Sequence, residues 1–556
     1  MTRALALFVR IVSPLLSVWI TYVVIANVAL STHALELVLN HAKPDRVHFT
    51  WKSAYTIVPF RLHANGFALR GQDDHIQWYI TLDHATVSFA PTGFFHKEVH
   101  MKHGVARGVS VRIRSRLEPA KARRDFVVKL PDIPGYGDPP LAGPKKPPKP
   151  GHKSWSVQLD DVIADDVREV WVDDVHFMDE RGHAEGGFGI HPHRISMRPT
   201  EYVAGDMRVL VGEDELASRA HGVFMVSIDD LDPKAFHGIT KLRKIDARAS
   251  MRTRVGDMKA LSYLVQSSHV TLGGGEGVLE LDGELDHGVI ARESRAELRS
   301  SAWRASSKRD AMSAGASLVF VRASGDAFRG SMQTYEYTLR RDGAIVAKSD
   351  AVGLAYTSHD LDVTKPPTHW GVSIDVPTST IPDLASLNGY VSSQLLPHGS
   401  ATFRGHADFS PHIGRVKFEL ANVNAGRERG WWTSAVLSPM HFDHGVTTFT
   451  VSGNSRDARV PLEILGAPHI VETLFGHQSF AFDAQVRLQP HVFELERAHA
   501  AGDKLEVLGR FEKRHHKKHG AVLVISSVMN VGVDIHEGGT SIKPFASRRW
   551  FDSARP

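Results

Sequence analysis

Residues 277–286 read GVLELDGELD, and this stretch decides the fold class. Leu279, Leu281 and Leu285 alternate there with acidic residues. Successive side chains of a β-strand point to opposite faces, so the pattern predicts a strand with one apolar face and one hydrated face. Strands of this kind are typical of antiparallel sheets, in which one face packs and the other meets water.

The same alternation recurs along the chain. In residues 109–117, apolar residues alternate with arginines and serine. Two later segments show the same alternation of apolar and other residues. The apolar positions of these segments are Val109, Val111 and Ile113, then Trp370, Val372 and Ile374, then Phe480 and Phe482. Regular alternation of strands with long helices is missing, which argues against a doubly wound nucleotide-binding fold. The sequence therefore predicts a mainly β protein.

The overall composition excludes several protein classes. The chain has 556 residues, of which 42% are hydrophobic and 23% charged, so it is not a disordered protein. Its net charge of only +4 argues against a nucleic-acid-binding protein. The chain contains no cysteine, which excludes disulfides, thiolate metal sites and cysteine nucleophiles. The 33 histidines are numerous, and no motif in the sequence accounts for them.

The N-terminus contains an uncharged apolar segment. Residues 11–30 read IVSPLLSVWITYVVIANVAL, and a helix of this length crosses a bilayer core of about 30 Å. Arg3 and Arg10 precede the segment, which by the positive-inside rule places the N-terminus in the cytoplasm. We therefore expect a transmembrane signal anchor over residues 1–32. A cleavable signal peptide is the alternative, although its apolar core is normally shorter.

The remaining chain divides by composition. A juxtamembrane helix is expected over residues 33–44, since Leu35, Val38 and Leu39 have helical spacing and Pro44 ends it. Eight prolines within residues 131–150 predict an extended linker over 131–152. We expect an N-terminal β unit over 45–130, an elongated sheet body over 153–545, and a tail over 546–556.

Short helical stretches recur within the predicted sheet body. Each has apolar residues three or four apart and precedes a turn and alternating strands. The stretches lie at residues 255–264, 381–391 and 465–474, so their spacing is unequal and does not indicate a solenoid of fixed period. We expect each short helix to close an end or an edge of the sheet.

The N-terminal phrases resemble those of a known family. Residues 50–95 contain a glycine-plus-apolar strand, Gly66–Arg70, and then a strand of the form W-x-I-x-L-D-x-A-x-V from Trp78 to Val87. With the N-terminal anchor before them, they resemble the opening of AsmA-like proteins of Gram-negative envelopes. Residues 452–468 and 505–510 are similar to the C-terminal region of that family.

The resemblance implies a fold and a function. It implies an elongated, curled antiparallel sheet, related in form to chorein-type lipid transfer proteins, whose apolar face forms a groove for acyl chains. A single sheet with an apolar face needs a cover, and the sequence offers few long helices to supply one. A dry sandwich or barrel is the alternative architecture. For the groove, the candidate lipid-facing residues are Val109, Val111, Ile113, Leu279, Leu281, Leu285, Trp370, Val372, Ile374, Phe480 and Phe482.

A basic strip follows the N-terminal strands. Residues 97–129 hold ten lysines and arginines against three acidic residues, and they lie close in sequence to the predicted anchor. Basic clusters beside a membrane attract anionic headgroups. The candidate headgroup contacts are Arg112, Arg114, Arg116, Arg123 and Arg124. The alternative is an ordinary hydrated strand face.

We find no motif for catalysis, a cofactor or a metal. Residues 273–277 are rich in glycine but lack the lysine of a phosphate-binding loop and lead into a strand. His191 and His193, and the group His515, His516 and His519, are better explained as turn and hairpin residues. The sequence therefore predicts no enzyme.

The expected function is that of a single-pass protein of the bacterial inner membrane. Its bulk lies in the periplasm, where it shields or conducts phospholipid or another acyl-chain lipid for outer-membrane homeostasis. The expected partners are lipid, the inner membrane and envelope proteins, with no nucleic acid. The alternative function is a structural or assembly factor for outer-membrane biogenesis that acts through protein contacts without conducting lipid.

Overall fold

A computed structural model confirms the mainly β fold class, with 70% of the chain in strands and 11% in helices. It describes residues 2–42, 47–72, 76–119, 127–142, 156–191, 194–232, 238–262, 270–390, 398–425, 428–455, 479–490, 492–514, 517–537 and 539–554. The predicted helical stretch at 465–474 and the candidates Arg123 and Arg124 lie outside these ranges, as do His193, His515 and His516.

Two helices open the chain. Helix α1 spans Thr2–Ser31 and helix α2 spans Ala34–Ala42, so a helix lies within residues 33–44. No single described helix meets the length and apolarity that a membrane span requires. Leu16–Ser31 and Ala34–His41 meet at a bend of 69° and satisfy those requirements only as a pair. The transmembrane anchor therefore stays a prediction.

The strands fall into two compact units. The first comprises residues 1–266, 276–297 and 362–365, and the second comprises 267–275, 298–361 and 366–556. The proline-rich segment predicted as a linker lies inside the first unit. The strands of the first unit are β1 (Val47–Thr50), β2 (Ser53–Tyr55), β3 (Arg61–Gln72), β4 (Ile76–Ala90), β5 (Glu98–Ser115), β6 (Ser156–Val172), β7 (Val175–His191), β8 (Arg194–Val211), β9 (Asp214–Leu231), β10 (Ile245–Val255), β12 (Gly277–Asp286) and β13 (Val289–Ile290).

The second unit is also built from strands. Strand β14 (Arg295–Ser300) lies where the chain passes from one unit to the other. The strands of the second unit are β11 (Thr271–Gly273), β15 (Trp303–Ser306), β16 (Asp310–Ala314), β17 (Ser317–Ser324), β18 (Ala327–Arg341), β19 (Ala344–Ser358), β20 (Trp370–Ile381), β21 (Gly399–Phe409), β22 (Ile413–Ala425), β23 (Glu428–Asp443), β24 (Val446–Ser455), β25 (Phe480–Gln489), β26 (Val492–Gly502), β27 (Leu505–Arg514), β28 (Lys517–Ser526), β29 (Val531–His536) and β30 (Gly539–Pro544).

Among the strands that the structure describes, the pairings are antiparallel except between β5 and β6. Strands β17 to β30 pair in sequence order, each with the next, as hairpin connections favour. Strands β5 and β6 pair in parallel, so the expectation of a purely antiparallel sheet is wrong at this position. The reason is the long connection through residues 116–155, which returns the chain to the end of the sheet where β5 began. Parallel neighbours require such a crossover.

Short helices follow several of the described strands. The 3₁₀ helix Met258–Leu261 follows β10, with Met258 buried. The 3₁₀ helix Leu384–Gly389 follows β20, and its Leu384 is buried in a cluster with Ile381, Ala401 and Val423. A third short helix, α3 (Arg548–Ser553), ends the described chain and buries Phe551.

Residues in the left-handed conformation shift the alternation within single strands. Gly66 in β3 has φ +58°, and the apolar residues Leu62 and Ala64 before it pack in one cluster with Phe67 after it. The spacing from Ala64 to Phe67 is odd, which a regular strand would place on opposite faces. One left-handed residue restores them to the same face, and glycine adopts that conformation without a steric penalty.

We expect a Leu384→Ala variant to lose about 2–4 kcal/mol of unfolding free energy, because Leu384 is 4% exposed and truncation leaves a cavity in its cluster. The matched control is Leu354→Ala on β19, where the side chain is 37% exposed and we expect a loss below about 1 kcal/mol. Denaturant unfolding measures both. Equal losses in the two variants would contradict the assignment of Leu384 as a core residue that closes the end of the sheet.

Candidate functional site: an apolar face in each unit

One apolar row crosses the second unit from β17 to β30. Residues directly opposite each other on paired strands point to the same face of a sheet, so the register defines the row. Every member is aliphatic or glycine. The row reads Val319, Met332, Leu354, Ile374, Ala407, Val416, Leu437, Val451, Ala484, Ala498, Gly509, Val522, Val533 and Ile542. At about 4.8 Å per strand, it follows the sheet for roughly 60 Å.

A second row of the same face runs beside the first. It begins at Phe418, continues through cross-strand partners to Phe482 and ends at Val531, again without a charged residue. Trp370 and Val372 lie on β20 at positions that alternate with Ser373 and share the face of Ile374. The sequence-predicted positions Trp370, Val372, Ile374, Phe480 and Phe482 are therefore brought together on one face of the second unit.

The first unit has its own apolar row, from β1 to β9. Val111 is its central member, and Ile113 belongs to a parallel row two residues away that includes Trp78, Val172 and Val175. Val109 is buried beside them and pairs with Val167. The central row reads Phe49, Leu69, Ile80, Val111, Val170, Phe177, Val209 and Ala217.

The three leucines of β12 extend the apolar face of the first unit. Leu281 lies opposite Met251 on β10, and Leu285 lies opposite Ala247. Met251 packs against the cluster that contains Val209 and Ala217, the last two members of the central row. Leu279, Leu281 and Leu285 are half-buried, whereas the acidic residues between them are exposed, as the sequence predicts.

The exposure of the row in the second unit distinguishes an open face from a dry interior. Only Ala484, Gly509 and Val533 of its fourteen members are buried. The rest keep part of their surface accessible, and Leu354 and Ile542 are 37% and 53% exposed. Facing sheets of a sandwich bury such rows in a core about 10 Å thick. Among the described residues, the partial exposure therefore favours an open apolar face over the dry sandwich.

The described part of the proline-rich segment, residues 131–142, lies over the opposite, polar face of the first unit. Arg114 is 1% exposed there, although the sequence suggested a headgroup contact. Its guanidinium donates to Gln77 Oε1 at 2.8 Å, to the Pro131 carbonyl at 3.2 Å and to Asp138 Oδ1 at 2.6 Å. Arg114 therefore fixes the segment on the sheet, and its donors are taken.

Neighbouring arginines bind the same segment. Arg70 donates to the Pro134 carbonyl at 3.0 Å, Arg112 to the Asp132 carbonyl at 3.3 Å, and Arg116 to the Leu141 carbonyl at 2.8 Å. The segment thus lies over the face that carries these arginines, and the apolar row containing Val111 lies on the other face. Of the basic strip, Arg112, Arg114 and Arg116 thus contact this segment.

A polar cluster lies under this segment. Glu169 accepts from Ser110 and from Arg112 Nε, the latter at 2.7 Å, and its other oxygen lies 3.1 Å from His176 Nε2. The hydrogen bond with His176 contributes most to lowering the pKa of Glu169, from 4.5 to about 2, although burial opposes it. The ring of His176 stacks on Trp171 at 4.2 Å. Ser110, Arg112 and His176 all contact the Glu169 carboxylate, whereas Trp171 Nε1 is buried without a hydrogen-bond partner among the described residues. The contacts to Glu169 make the arrangement structural.

One further group of ligand-type atoms was missed by the sequence analysis. Asp246, Asp286 and His287 bring their oxygen and nitrogen atoms within 4.8 Å of one another across the end of β12. Asp286 and His287 are exposed, and His287 already pairs with Asp286 at 2.6 Å and with Asp246 at 2.8 Å. These mutual contacts explain the group as an ion-pair cluster.

A scan against protein-family models matched no family, and searches of curated proteins and of solved structures returned no match.

We expect Arg114→Ala to release the proline-rich segment. The substitution removes the charge-assisted bonds and leaves the carbonyl groups of Pro131 and Gly137 without this donor, which costs about 2–4 kcal/mol. Limited proteolysis should then cut within residues 131–142. The control is Arg107→Ala on the same strand, where a 64% exposed side chain faces Asp165 at 3.7 Å, so we expect little change. Equal protease resistance of both variants would contradict the anchoring role.

We expect Glu169 to make stability dependent on acid pH. Its folded-state pKa lies below its unfolded value, so its stabilising contribution is complete above about pH 4.5 and is lost as the pH falls toward about 2. A Glu169→Gln variant should therefore have a lower Tm at neutral pH and a smaller further decrease over that window. Calorimetry from pH 7 to pH 2 measures this, with the exposed Glu180→Gln as control. Parallel Tm profiles of wild type and Glu169→Gln would refute it.

Proposed function

We propose that this chain is a membrane-anchored, AsmA-like protein that shields or conducts phospholipid along its apolar sheet faces. The observation that carries the proposal is the fourteen-strand apolar row of the second unit, which has no charged member and is only partly covered by described residues. Continuous exposed apolar surface of this extent is rare in proteins that have no apolar ligand or partner.

Acyl chains match this surface in chemistry and in shape. Each methylene group that moves from water onto an apolar face contributes about 0.8 kcal/mol of favourable transfer free energy. An acyl chain that lies along several strands therefore binds without any specific polar contact. The adjacent outward positions carry Asp375, His406 and Lys417, which keep the other face hydrated. Shielding of this kind needs no catalytic group, which fits the absence of a catalytic motif in the sequence.

The proposed location follows from the N-terminal segment. Its uncharged run of twenty residues after Arg3 and Arg10 supports an anchor in the bacterial inner membrane with both strand-bearing units in the periplasm. The bent helix pair at Leu16–His41 is compatible with that anchor by length and composition. Lipid that leaves the membrane beside the anchor would then meet the apolar row of the first unit.

The proposal predicts that a charge on the apolar row abolishes lipid binding. We expect Val451→Asp and Ile374→Asp to lower the amount of co-purified phospholipid at least about tenfold, because a carboxylate beside an acyl chain loses its hydration. Native mass spectrometry of the full chain, released from mild detergent, measures the bound lipid.

The matched control is Thr450→Asp, the exposed neighbour of Val451 on the opposite face of β24. This variant should retain its lipid, and all three variants should keep the wild-type far-ultraviolet circular dichroism. Wild-type protein that is reproducibly free of lipid would refute the proposal, and it would favour the assembly factor that acts through protein contacts. Retention of lipid by Val451→Asp would exclude the row as its binding surface.

A further inference from the structure

The loop between β2 and β3 has an unusual surface. Residues Thr56–Phe60 contain no charged side chain, and Ile57, Val58 and Phe60 are 55%, 52% and 49% exposed. A loop in water normally presents polar side chains and lets water bind its backbone. This loop presents its apolar side chains outward.

Side chains of α1 bind the backbone of this loop. Asn27 accepts from the Thr56 amide at 2.9 Å and donates to the Thr56 carbonyl at 2.7 Å. Trp19 Nε1 donates to the Ile57 carbonyl at 3.1 Å, and the Phe60 amide donates to the Tyr22 hydroxyl at 3.2 Å. Three side chains of helix α1 thus form hydrogen bonds with backbone groups of the loop.

Internal satisfaction of backbone groups together with outward apolar side chains is what a lipid environment requires, because hydrocarbon offers no hydrogen bonds. We propose that loop Thr56–Phe60 and the adjoining part of α1 form one membrane-embedded unit, inserted among the acyl chains of a lipid leaflet. This inference rests on the membrane anchor of the proposed function and deepens it by assigning a second inserted element.

The helix geometry places the loop at a definite depth. Trp19 lies eleven residues before Leu30, which corresponds to about 16 Å along the helix, or half of a bilayer core of about 30 Å. A span over residues 11–30 therefore has the loop beside its second half, within one leaflet. That position also explains why Trp19, Tyr22 and Asn27 occur in the middle of an apolar run.

The other side of α1 is apolar as well. Val18, Val24, Ile25 and Val28 are 69%, 55%, 64% and 57% exposed. At 100° per residue these four positions form one stripe, directed away from Leu30, which is buried against the sheet. The helix and the loop therefore present apolar surface on two sides of one unit, as insertion into lipid requires.

Helix α2 is placed to lie along the membrane surface. The bend between the helices is 69°, so with α1 along the membrane normal, α2 lies about 21° (90° minus 69°) from the membrane plane. Leu37 and Val38 on α2 are 70% and 66% exposed, and Asn40 holds the helix to the sheet through the backbone amide and carbonyl of Phe49, at 2.7 and 2.9 Å. Phe49 is the first member of the central apolar row, so the row begins next to the inserted unit.

The absence of cysteine allows a direct test. We would introduce Val58→Cys on the loop, label it with the environment-sensitive dye NBD, and reconstitute the full chain in vesicles of phosphatidylethanolamine and phosphatidylglycerol. The control is Val528→Cys in the turn after β28, an 89% exposed valine far from the N-terminal residues in sequence. Ile57→Cys serves as a second loop position if the first variant folds poorly.

We expect the Val58 probe to emit at shorter wavelength than the Val528 probe and to lose most of its fluorescence when the vesicles contain phospholipid spin-labelled in the acyl chain. The Val528 probe should be unaffected by the spin label. Emission from both loop positions at the long wavelength of a water-exposed probe would overturn the inference. Blue-shifted emission without quenching by spin-labelled lipid would also overturn it, because a second copy of the chain would then cover the loop.

The outcome is separable from that of the proposed function. If the Val58 probe is quenched in vesicles but the purified chain carries no lipid, the inserted loop is supported and lipid shielding is refuted. If the purified chain carries lipid but the loop probes report a water-exposed environment, lipid shielding is supported and the inserted loop is refuted.

Discussion

The structure depends on one constraint, which is that a single layer of β-sheet with an apolar face must have something against that face. Helices satisfy this constraint in most α+β proteins, and a second sheet satisfies it in sandwiches. In the described part of this chain, Leu30 of α1 packs in one cluster with Phe49 at the start of the first unit's row, and the longer covering segment of that unit lies elsewhere. The proline-rich segment lies over the arginine-bearing face of the first unit, bound by Arg70, Arg112 and Arg114. The apolar row through Val111 is on the reverse face.

The C-terminal helix of the second unit follows the same rule. Helix α3 packs Trp550 and Phe551 against Leu523 and Leu508, which alternate with the row members Val522 and Gly509 and therefore point to the opposite face. On the apolar face itself, the 3₁₀ helix Leu384–Gly389 covers only the end of the strands. A chain that can supply covers, yet places them on the opposite face, leaves the apolar rows accessible to a ligand.

Sequence reasoning was sufficient for the strands and their faces because alternation is a local property. The leucines of β12 and the aromatic residues Phe480 and Phe482 were recognisable because they occupy every second position of a strand, and the same spacing places them on apolar faces. Register was not predictable, since pairing of Ile374 with Ala407 depends on turn lengths and bulges between distant residues. The continuity of the rows therefore appeared only in the structure.

Non-local contacts account for what the sequence could not provide. Arg114 looked like a hydrated residue because it alternates with Val111 and Ile113, and only the return of residues 131–138 over its face buries it. The parallel pairing of β5 with β6 has the same origin, since it depends on where a forty-residue connection ends. Gly66 shows that local reasoning also has a limit. Its positive φ reverses the alternation of inward and outward side chains within β3, and the pattern of apolar and polar residues does not reveal this.

The histidines can now be assigned a partial role on the hydrated faces. Several lie beside carboxylates of the same or a neighbouring strand, as His100 lies 2.6 Å from Asp160 and His183 lies 2.8 Å from Asp165. A neutral imidazole can donate one hydrogen bond to such a carboxylate without placing a fixed positive charge on the sheet. Many cross-strand pairs of this kind keep the outer face polar while the net charge stays near zero. A protein that reserves one face of each sheet for apolar contacts must make the other face hydrophilic over the same length, and these histidine–carboxylate pairs contribute to that face.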